Sequence, residues 1–118
     1  MSGPVYKLVG RTEWAAARAA GAYAGSEVDR ADGYIHLSTA AQLAETARRH
    51  FAGRADLVLV AVDPAALGGA LRWEPSRGGD LFPHLYQPLP LSAAGPERAL
   101  AVRADGVMVF EDGTAGWT

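Results

Sequence analysis

Cysteine is absent from the 118 residues, and so is any strong excess of charge. Without cysteine there is no disulfide scaffold, no thiol nucleophile and no thiolate metal site. The formal net charge is −2 and the basic residues form no block, so we expect no bulk binding to nucleic acid. Residues 1–10 have neither the basic start nor the apolar stretch of a secretory signal. We therefore expect a cytoplasmic protein.

Long apolar runs are absent as well. The longest aliphatic run, Leu57 to Val62, is far shorter than the ~20 residues that span a bilayer, so we expect no membrane association. The composition that is present, 49% apolar and 20% charged, suits a chain of this length with one hydrophobic core. We predict a single domain over residues 1–118, as a monomer or a small homo-oligomer.

The residue pattern predicts two helices. The first covers about residues 13–20 and ends at Gly21. The second covers about residues 39–51, where Gln42 is placed to complete a capping box on Thr39. The helices supply one layer of the expected fold.

Short β-rich stretches outnumber the helices. Residues 25–33 carry Ser, Asp and Gly without periodicity and predict a surface loop, while Trp73 is expected in the core. The predicted strands cover residues 5–9, 34–37, 57–62, 71–74, 99–103 and 106–111. Strands and helices do not alternate regularly, so the fold class is α+β, with mixed, mainly antiparallel sheets.

The first candidate site segment begins at Tyr34. In a strand, Tyr34, His36 and Ser38 share one face, and the aliphatic Ile35 and Leu37 share the other. A phenol, an imidazole and a hydroxyl in a row supply more hydrogen-bonding capacity than packing requires. Such a row can bind a polar ligand.

The second candidate segment repeats this arrangement. His84 and Tyr86 fall on one side of an extended segment and Leu85 on the other. Pro83 and Pro88 make it a poor central strand, so we expect it at a sheet edge or a cleft rim. The side chains of both segments are predicted to open into one shared pocket.

Acidic residues near the second segment extend the candidate site. Glu74 and Asp80 are the nearest acids in sequence to His84, and either could orient an imidazole or stabilise positive charge on a substrate. Convergence of His36, His84 and Asp80 would instead suit zinc or iron, although separated single residues give no spacing signal. We predict no metal, with a metal-dependent hydrolase as an alternative.

Structural roles compete with each functional role. Ser38, just before a helix, is more often an N-cap than a catalytic residue, and His36 can be a hydrogen-bonded strand histidine. Tyr34 and Tyr86 can be cross-strand packing partners, and His50 suits the carbonyl end of a helix. The repetition of two similar segments favours the functional interpretation.

The two segments also resemble a known family. Residues 33–40 (GYIHLSTA) and 82–86 (FPHLY) are similar to the two signature motifs of the bacterial family catalogued as domain of unknown function 952. The resemblance extends over nearly the whole chain, from Trp14 to Gly106. One departure is Gln87, where the family usually has Gly.

That family resembles the ADP-ribosyltransferase superfamily, which holds NAD in a cleft between two small sheets. His36-Leu37-Ser38 is similar to the superfamily's His-x-Ser, and residues 35–38 also resemble the His-containing strand of tRNA 2′-phosphotransferases, which use NAD. The resemblance implies a small-molecule nucleotide ligand, with NAD as the candidate cofactor. Its binding residues would be Tyr34, His36, Ser38 and Tyr86, and the catalytic residues would be His84 and Glu74. A non-catalytic module that binds a small ligand or a partner is the alternative.

Overall fold

The computed structural model describes residues 3–117, which form ten strands and three α-helices. The strands are β1 (Val5–Gly10), β2 (Ala22–Tyr23), β3 (Ile35–His36), β4 (Ser38–Thr39), β5 (Leu57–Val62), β6 (Leu71–Pro75), β7 (Leu81–Leu85), β8 (Leu89–Pro90), β9 (Ala94–Val102) and β10 (Met108–Phe110). The helices are α1 (Arg11–Ala20), α2 (Glu27–Asp32) and α3 (Ala40–His50), and short 3₁₀ helices cover Pro64–Ala66, Gly68–Ala70, Arg77–Gly79 and Leu91–Ala93.

A five-stranded sheet in the order β10-β9-β5-β1-β4 forms the centre of the fold. Its described pairings are all antiparallel, which confirms the α+β prediction with mainly antiparallel sheets. The aliphatic strand β5 lies between β1 and β9, as expected of a strand covered on both faces. Alternate residues of β5 therefore contribute to two hydrophobic clusters.

The two clusters lie on opposite faces of this sheet. Leu57 and Leu59 pack with Leu43 and Ala47 of α3, which agrees with the prediction that this helix packs against a sheet. Val58 and Val60 pack on the other face with α1, the three-stranded sheet and the strand pair β2-β8. In the part of the chain that the structure describes, no helix is both long and apolar enough to span a membrane.

A three-stranded sheet in the order β3-β7-β6 carries both histidine segments. In its register His36 lies opposite His84 and Ile35 lies opposite Leu85. The chain then changes sheet within one residue: β3 ends at His36, and β4 starts at Ser38 and pairs with β1. Leu37 connects the two sheets, and its N–H donates to the carbonyl oxygen of Pro83.

The second histidine segment was expected at a sheet edge or a cleft rim; the sheet edge is wrong, whereas His84 does line a cavity. β7 is the middle strand of the sheet. The nitrogen and the carbonyl oxygen of Pro83 both point towards the β3 side, where Leu37 donates to that oxygen. Because β3 ends at His36, the N–H that proline lacks is not needed to pair with a residue of β3. The expectation that Trp73 is buried was also wrong, because Trp73 lies on the edge strand β6 and is 46% exposed.

The predicted loop over residues 25–33 contains α2. Ser26 caps this helix through a capping box with Asp29, and Gly33 ends it in the left-handed conformation. A carboxylate such as that of Asp29 can serve in the third helical position just as Glu or Gln does, so Ser26-x-x-Asp29 is a capping-box pattern. At the first helix, Gly21 ends α1 as predicted, but α1 already begins at Arg11.

The capping role considered for Ser38 was also wrong. Thr39 is the N-cap of α3 and forms the predicted capping box with Gln42. Ser38 is buried one residue earlier, in β4, and its hydroxyl lies 2.9 Å from the hydroxyl of Thr46. Gln42 stands three residues after Thr39, which is the spacing that a capping box requires, and this fixes the cap at Thr39.

Candidate functional site

A cavity of about 640 Å³ is lined by residues from both large sheets and from α2 and α3. The three-stranded sheet contributes His36 and His84, and β1 of the five-stranded sheet contributes Lys7. The shared concavity expected for the two histidines is therefore present. Of the predicted binding residues, Ser38 also lines this cavity.

Two charged side chains, those of Asp29 and Lys7, hold His36 through three contacts. Its Nδ1 lies 2.6 Å from Oδ1 of Asp29, and its backbone N–H donates to the same oxygen. The ammonium of Lys7 donates to the backbone carbonyl oxygen of His36. These contacts fix both the backbone and the ring, so His36 is positioned before any ligand arrives.

The second ring nitrogen of His36 also faces an acid. Nε2 lies 3.0 Å from Oδ2 of Asp32, the last residue of α2. Both ring nitrogens of His36 therefore lie within hydrogen-bond distance of a carboxylate oxygen.

Asp29 is the buried centre of this cluster, with 2% of its surface exposed. Oδ2 accepts from the N–H of Ser26 and from the ammonium of Lys7 at 2.8 Å. Burial raises the pKa of Asp29, but the hydrogen bond from His36 and the charge of Lys7 outweigh it and hold the pKa well below the ordinary range. Gly25, with φ 106°, lets the backbone pass close to this side chain, because a Cβ there would lie 2.9 Å from that of Asp29.

Lys7 supplies the compensating charge from β1. Its side chain is almost fully buried, and burial lowers its pKa although Asp29 opposes that change. A buried ammonium is tolerated only with a partner, and Asp29 fills that role. The pair Lys7–Asp29 is therefore close to neutral as a unit.

His84 has its own carboxylate. Its Nδ1 lies 2.7 Å from Oε1 of Glu74, which also accepts a hydrogen bond of 2.7 Å from the hydroxyl of Tyr86. The hydrogen bonds from Tyr86 and His84 lower the pKa of Glu74, and the bond to Glu74 raises the pKa of Tyr86. Glu74 lies on β6 and thus orients His84 from the neighbouring strand.

Tyr34 joins the two histidines. Its ring stacks on His84 with a centroid distance of 4.1 Å and also contacts His36 at 4.6 Å and Tyr86 at 5.2 Å. The guanidinium of Arg72 lies over the ring of Tyr86. Four of the six predicted site residues thus form one ring cluster, and Glu74 is tied to it by hydrogen bonds.

The predicted residues differ in their access to the cavity. His36, Ser38 and His84 belong to its lining, whereas Tyr34, Tyr86 and Glu74 are not among the described residues that line it. Within residues 3–117 no group of three or more acidic or histidine side chains is placed to hold a metal ion, so His36, His84 and Asp80 do not form such a group. The groups that line the cavity can bind a ligand through hydrogen bonds and charge.

Both histidine segments lie within a recognisable family match. A family model described as Protein of unknown function (DUF952) matches residues 8–95. The chain belongs to the DUF952 family. This confirms the family resemblance suggested by the two motifs, and the matched range also contains Asp29 and Glu74.

The DUF952 chain is similar to a solved protein, CC0527 from Caulobacter crescentus. The X-ray crystal structure of CC0527 is 52% identical to this chain, with a TM-score of 0.86, and covers 90% of this chain and 93% of that chain. Its solution NMR structure is also 52% identical, with a TM-score of 0.77 and coverage of 87% and 89%. No curated protein matches the chain.

Several residues of the DUF952 site were not anticipated from the sequence. Asp29 and Asp32 lay in a segment interpreted as a loop, and Lys7 lay in a strand interpreted only as structure. The capping pattern Ser26-x-x-Asp29 could have revealed α2, and with it the short distance between Asp29 and His36. For Lys7, a single charge in the middle of an apolar strand was the available signal.

Proposed function

We propose that this DUF952 protein binds NAD or a related nucleotide between the His36 and His84 segments, as an ADP-ribosyltransferase-like domain. The observation that carries the proposal is the arrangement of the two imidazoles. Each has a carboxylate at its Nδ1, both line one cavity, and the ring of Tyr34 contacts both.

The size and polarity of the cavity support a nucleotide ligand. Its volume of about 640 Å³ lies within the usual range of small-molecule sites. Arg54 belongs to the lining and offers a cation to a phosphate group. The imidazoles, hydroxyls and guanidinium of the lining complement a ribose and a pyrophosphate, and four carboxylates, those of Glu13, Glu27, Asp29 and Asp32, line the cavity as well.

The proposed roles follow from the contacts. His36 and Ser38 bind the ligand from the cavity wall, while Tyr34 and Tyr86, which lie outside the lining, belong to the ring cluster that holds the two histidines. Because Nδ1 of His84 faces Glu74, the neutral ring keeps its proton on Nδ1, and Nε2 is then the basic nitrogen. His84 and Glu74 form the proposed catalytic pair.

The proposed reaction is transfer or hydrolysis at the nicotinamide ribose. The bond between C1′ of the ribose and the ring nitrogen breaks, and nicotinamide leaves with the electron pair. The oxygen of an acceptor hydroxyl or water forms the new bond to C1′, and its proton passes to Nε2 of His84. The protein contributes mainly positioning and stabilisation of the positive charge that develops on the ribose.

Calorimetric titration with NAD, in the presence of a chelator, tests the binding step. We expect binding by the natural protein, and a loss of affinity of roughly tenfold or more for His36→Ala and for His84→Ala, because each removes a hydrogen-bonding group of the site. Arg103→Gln is the matched control: Arg103 pairs with Asp105 on the surface and does not line the cavity.

Two outcomes separate the functional alternatives. Silence at millimolar NAD would overturn the proposal. Binding without release of nicotinamide, measured by chromatography after prolonged incubation, would favour the non-catalytic binding module.

A further inference from the structure

One edge of the three-stranded sheet is open. In the order β3-β7-β6, β6 is the outer strand, and the residues that the structure describes include no strand on its other side. An open strand edge presents backbone N–H and C=O groups that can pair with another chain. β6 also pairs with β7 over all five of its residues without a register shift, so its outer edge is regular enough to receive a further strand.

Apolar side chains project beside this edge. Trp73 on β6 is 46% exposed, and Leu81 on β7 is 52% exposed. The register places Trp73 opposite Pro83 and Leu81 opposite Pro75, so these four side chains share one face of the sheet. Tryptophan is enriched among the residues that anchor protein interfaces. An exposed indole beside an open strand edge therefore favours a protein partner for this surface.

Trp73 also offers a complete pair of backbone groups at the edge. The nitrogen and oxygen of Pro83, its partner on β7, point towards β3, so the N–H and C=O of Trp73 point away from β7. The neighbouring outward positions are incomplete, because the N–H of Leu71 donates to the carbonyl oxygen of Gly68 and Pro75 has no N–H. A second strand is therefore paired best when its own complete residue lies opposite Trp73.

The charges on either side of Trp73 specify which strand fits. Arg72 and Glu74 flank Trp73 and project from the other face of β6. When two copies of β6 pair antiparallel about Trp73, Arg72 of each copy lies directly opposite Glu74 of the other. The hydrogen bonds from His84 and Tyr86 both go to Oε1 of Glu74, so Oε2 can accept from that guanidinium. The strand is thus complementary to itself.

We propose that this protein forms a symmetric dimer in which two β6 strands pair antiparallel, centred on Trp73. The two Trp73 residues exchange both backbone hydrogen bonds, and their indole rings lie side by side on the apolar face. Two Arg72–Glu74 pairs form on the other face, related by the two-fold axis. Because Glu74 also contacts His84, each copy places Arg72 beside the candidate site of the other. The proposal does not depend on the identity of the ligand.

The dimer is expected to be weak. Five residues from each strand are few compared with the roughly 20–30 residues per side of a standard interface. We therefore expect monomer and dimer to exchange at micromolar or higher protein concentration. Sedimentation velocity over a dilution series measures this equilibrium.

Two charge-reversal variants test the register. Arg72→Glu places two carboxylates opposite each other at both contacts, and Glu74→Arg places two guanidinium groups there, so each should weaken self-association roughly tenfold or more. An equimolar mixture of the two variants restores opposite charges at both contacts, and we expect it to dimerise about as tightly as the natural protein. Arg103→Glu is the control, since Arg103 lies outside the three-stranded sheet in an exposed ion pair with Asp105.

Trp73→Thr is an independent variant. Threonine keeps the preference for a strand but removes the indole pair, so we expect weaker self-association with a nearly unchanged melting temperature. Thermal melting followed by circular dichroism shows whether each variant is folded. Should Glu74→Arg fail to fold because His84 and Tyr86 lose their acceptor, Arg72→Glu and Trp73→Thr decide the question.

A natural protein that stays monomeric up to millimolar concentration would overturn the proposal. A dimer that persists unchanged in Arg72→Glu and Trp73→Thr would also overturn it, because the contact would then lie at another surface. Weakening in both folded charge-reversal variants without recovery in their mixture would rule out the register centred on Trp73. Recovery in the mixture supports the proposed pairing.

Discussion

Asp29, which the sequence analysis did not select as a site residue, is the side chain that connects most of the site. It accepts hydrogen bonds from Ser26, Lys7 and both the backbone and the ring of His36. A carboxylate with this many donors is held in its charged form. The geometry of His36, and with it one wall of the cavity, therefore depends on the ionisation of a single buried side chain.

The depressed pKa of Asp29 predicts acid sensitivity. As the pH falls through the ordinary aspartate range near ~4, the unfolded chain takes up a proton at Asp29 that the folded protein does not, so the free energy of unfolding declines. We expect this decline roughly between pH 5 and pH 2. Asp29→Asn should be less stable at neutral pH, because Lys7 loses its counter-charge, and should show a shallower decline in acid.

Urea unfolding over this pH range provides the measurement. Asp105→Asn is the control, since Asp105 lies in an exposed ion pair with Arg103 and such pairs contribute little to stability. An equally steep acid decline in the natural protein and in Asp29→Asn would contradict the prediction.

The sequence identified the histidines of the site better than their partners. Strand alternation placed His36 and His84 opposite aliphatic residues, and this was sufficient to predict a shared cavity. Asp29 reaches His36 from a separate helix, and Lys7 reaches it from another sheet. Such contacts depend on tertiary packing, which local periodicity does not encode.

At the start of α3, two adjacent residues have different roles: Thr39 caps the helix and Ser38 is buried. Thr39 caps the helix and is partly exposed, whereas Ser38 is 4% exposed and contacts Thr46. The two positions are adjacent and chemically similar. Their environments nevertheless predict opposite responses to a carboxylate.

We expect Thr39→Asp to keep the stability of the natural protein, because aspartate is a good N-cap near the positive end of the helix. Ser38→Asp should lose roughly 3 kcal/mol or more, because it buries a charge without a partner. Thr39→Ala and Ser38→Ala serve as matched controls, each with an expected cost of about 1 kcal/mol. Chemical denaturation measures all four, and a stable Ser38→Asp would contradict the assignment.

Long periodic elements were predicted from the sequence and short ones were not. The β5 strand and α3 carry continuous patterns and agree with the structure within one or two residues. The two-residue strands β2, β3, β4 and β8 and the six-residue α2 offer too few residues for a period. Their positions are determined by pairing with distant segments, such as β4 with β1.

The molecule as a whole places its candidate site where two sheets meet. Residues of the five-stranded sheet and of the three-stranded sheet line one cavity, and α2 adds a third side. Each sheet supplies groups that the other lacks: Lys7 comes from one and the two histidines from the other. The site therefore exists only while both sheets keep their relative position.

Only Leu37 separates β3 from β4, so the backbone itself restricts how far the two sheets can move relative to each other. Leu37 is buried and leaves no slack between the sheets, so any opening of the cavity must loosen the hydrogen bonds of residues 35–39. A ligand that fills the cavity contacts residues of both sheets and restricts their relative motion. Amide hydrogen exchange should therefore slow on both sides of Leu37 when the ligand binds.

Hydrogen–deuterium exchange with and without NAD measures this effect. We expect exchange to slow together in residues 35–39, in β1 and in β7, while β10, at the far edge of the five-stranded sheet, keeps its rate. Slowing limited to β7 would show that the two sheets move independently. Slower exchange on both sides of Leu37 would mean that ligand binding stabilises the short connection between the two sheets.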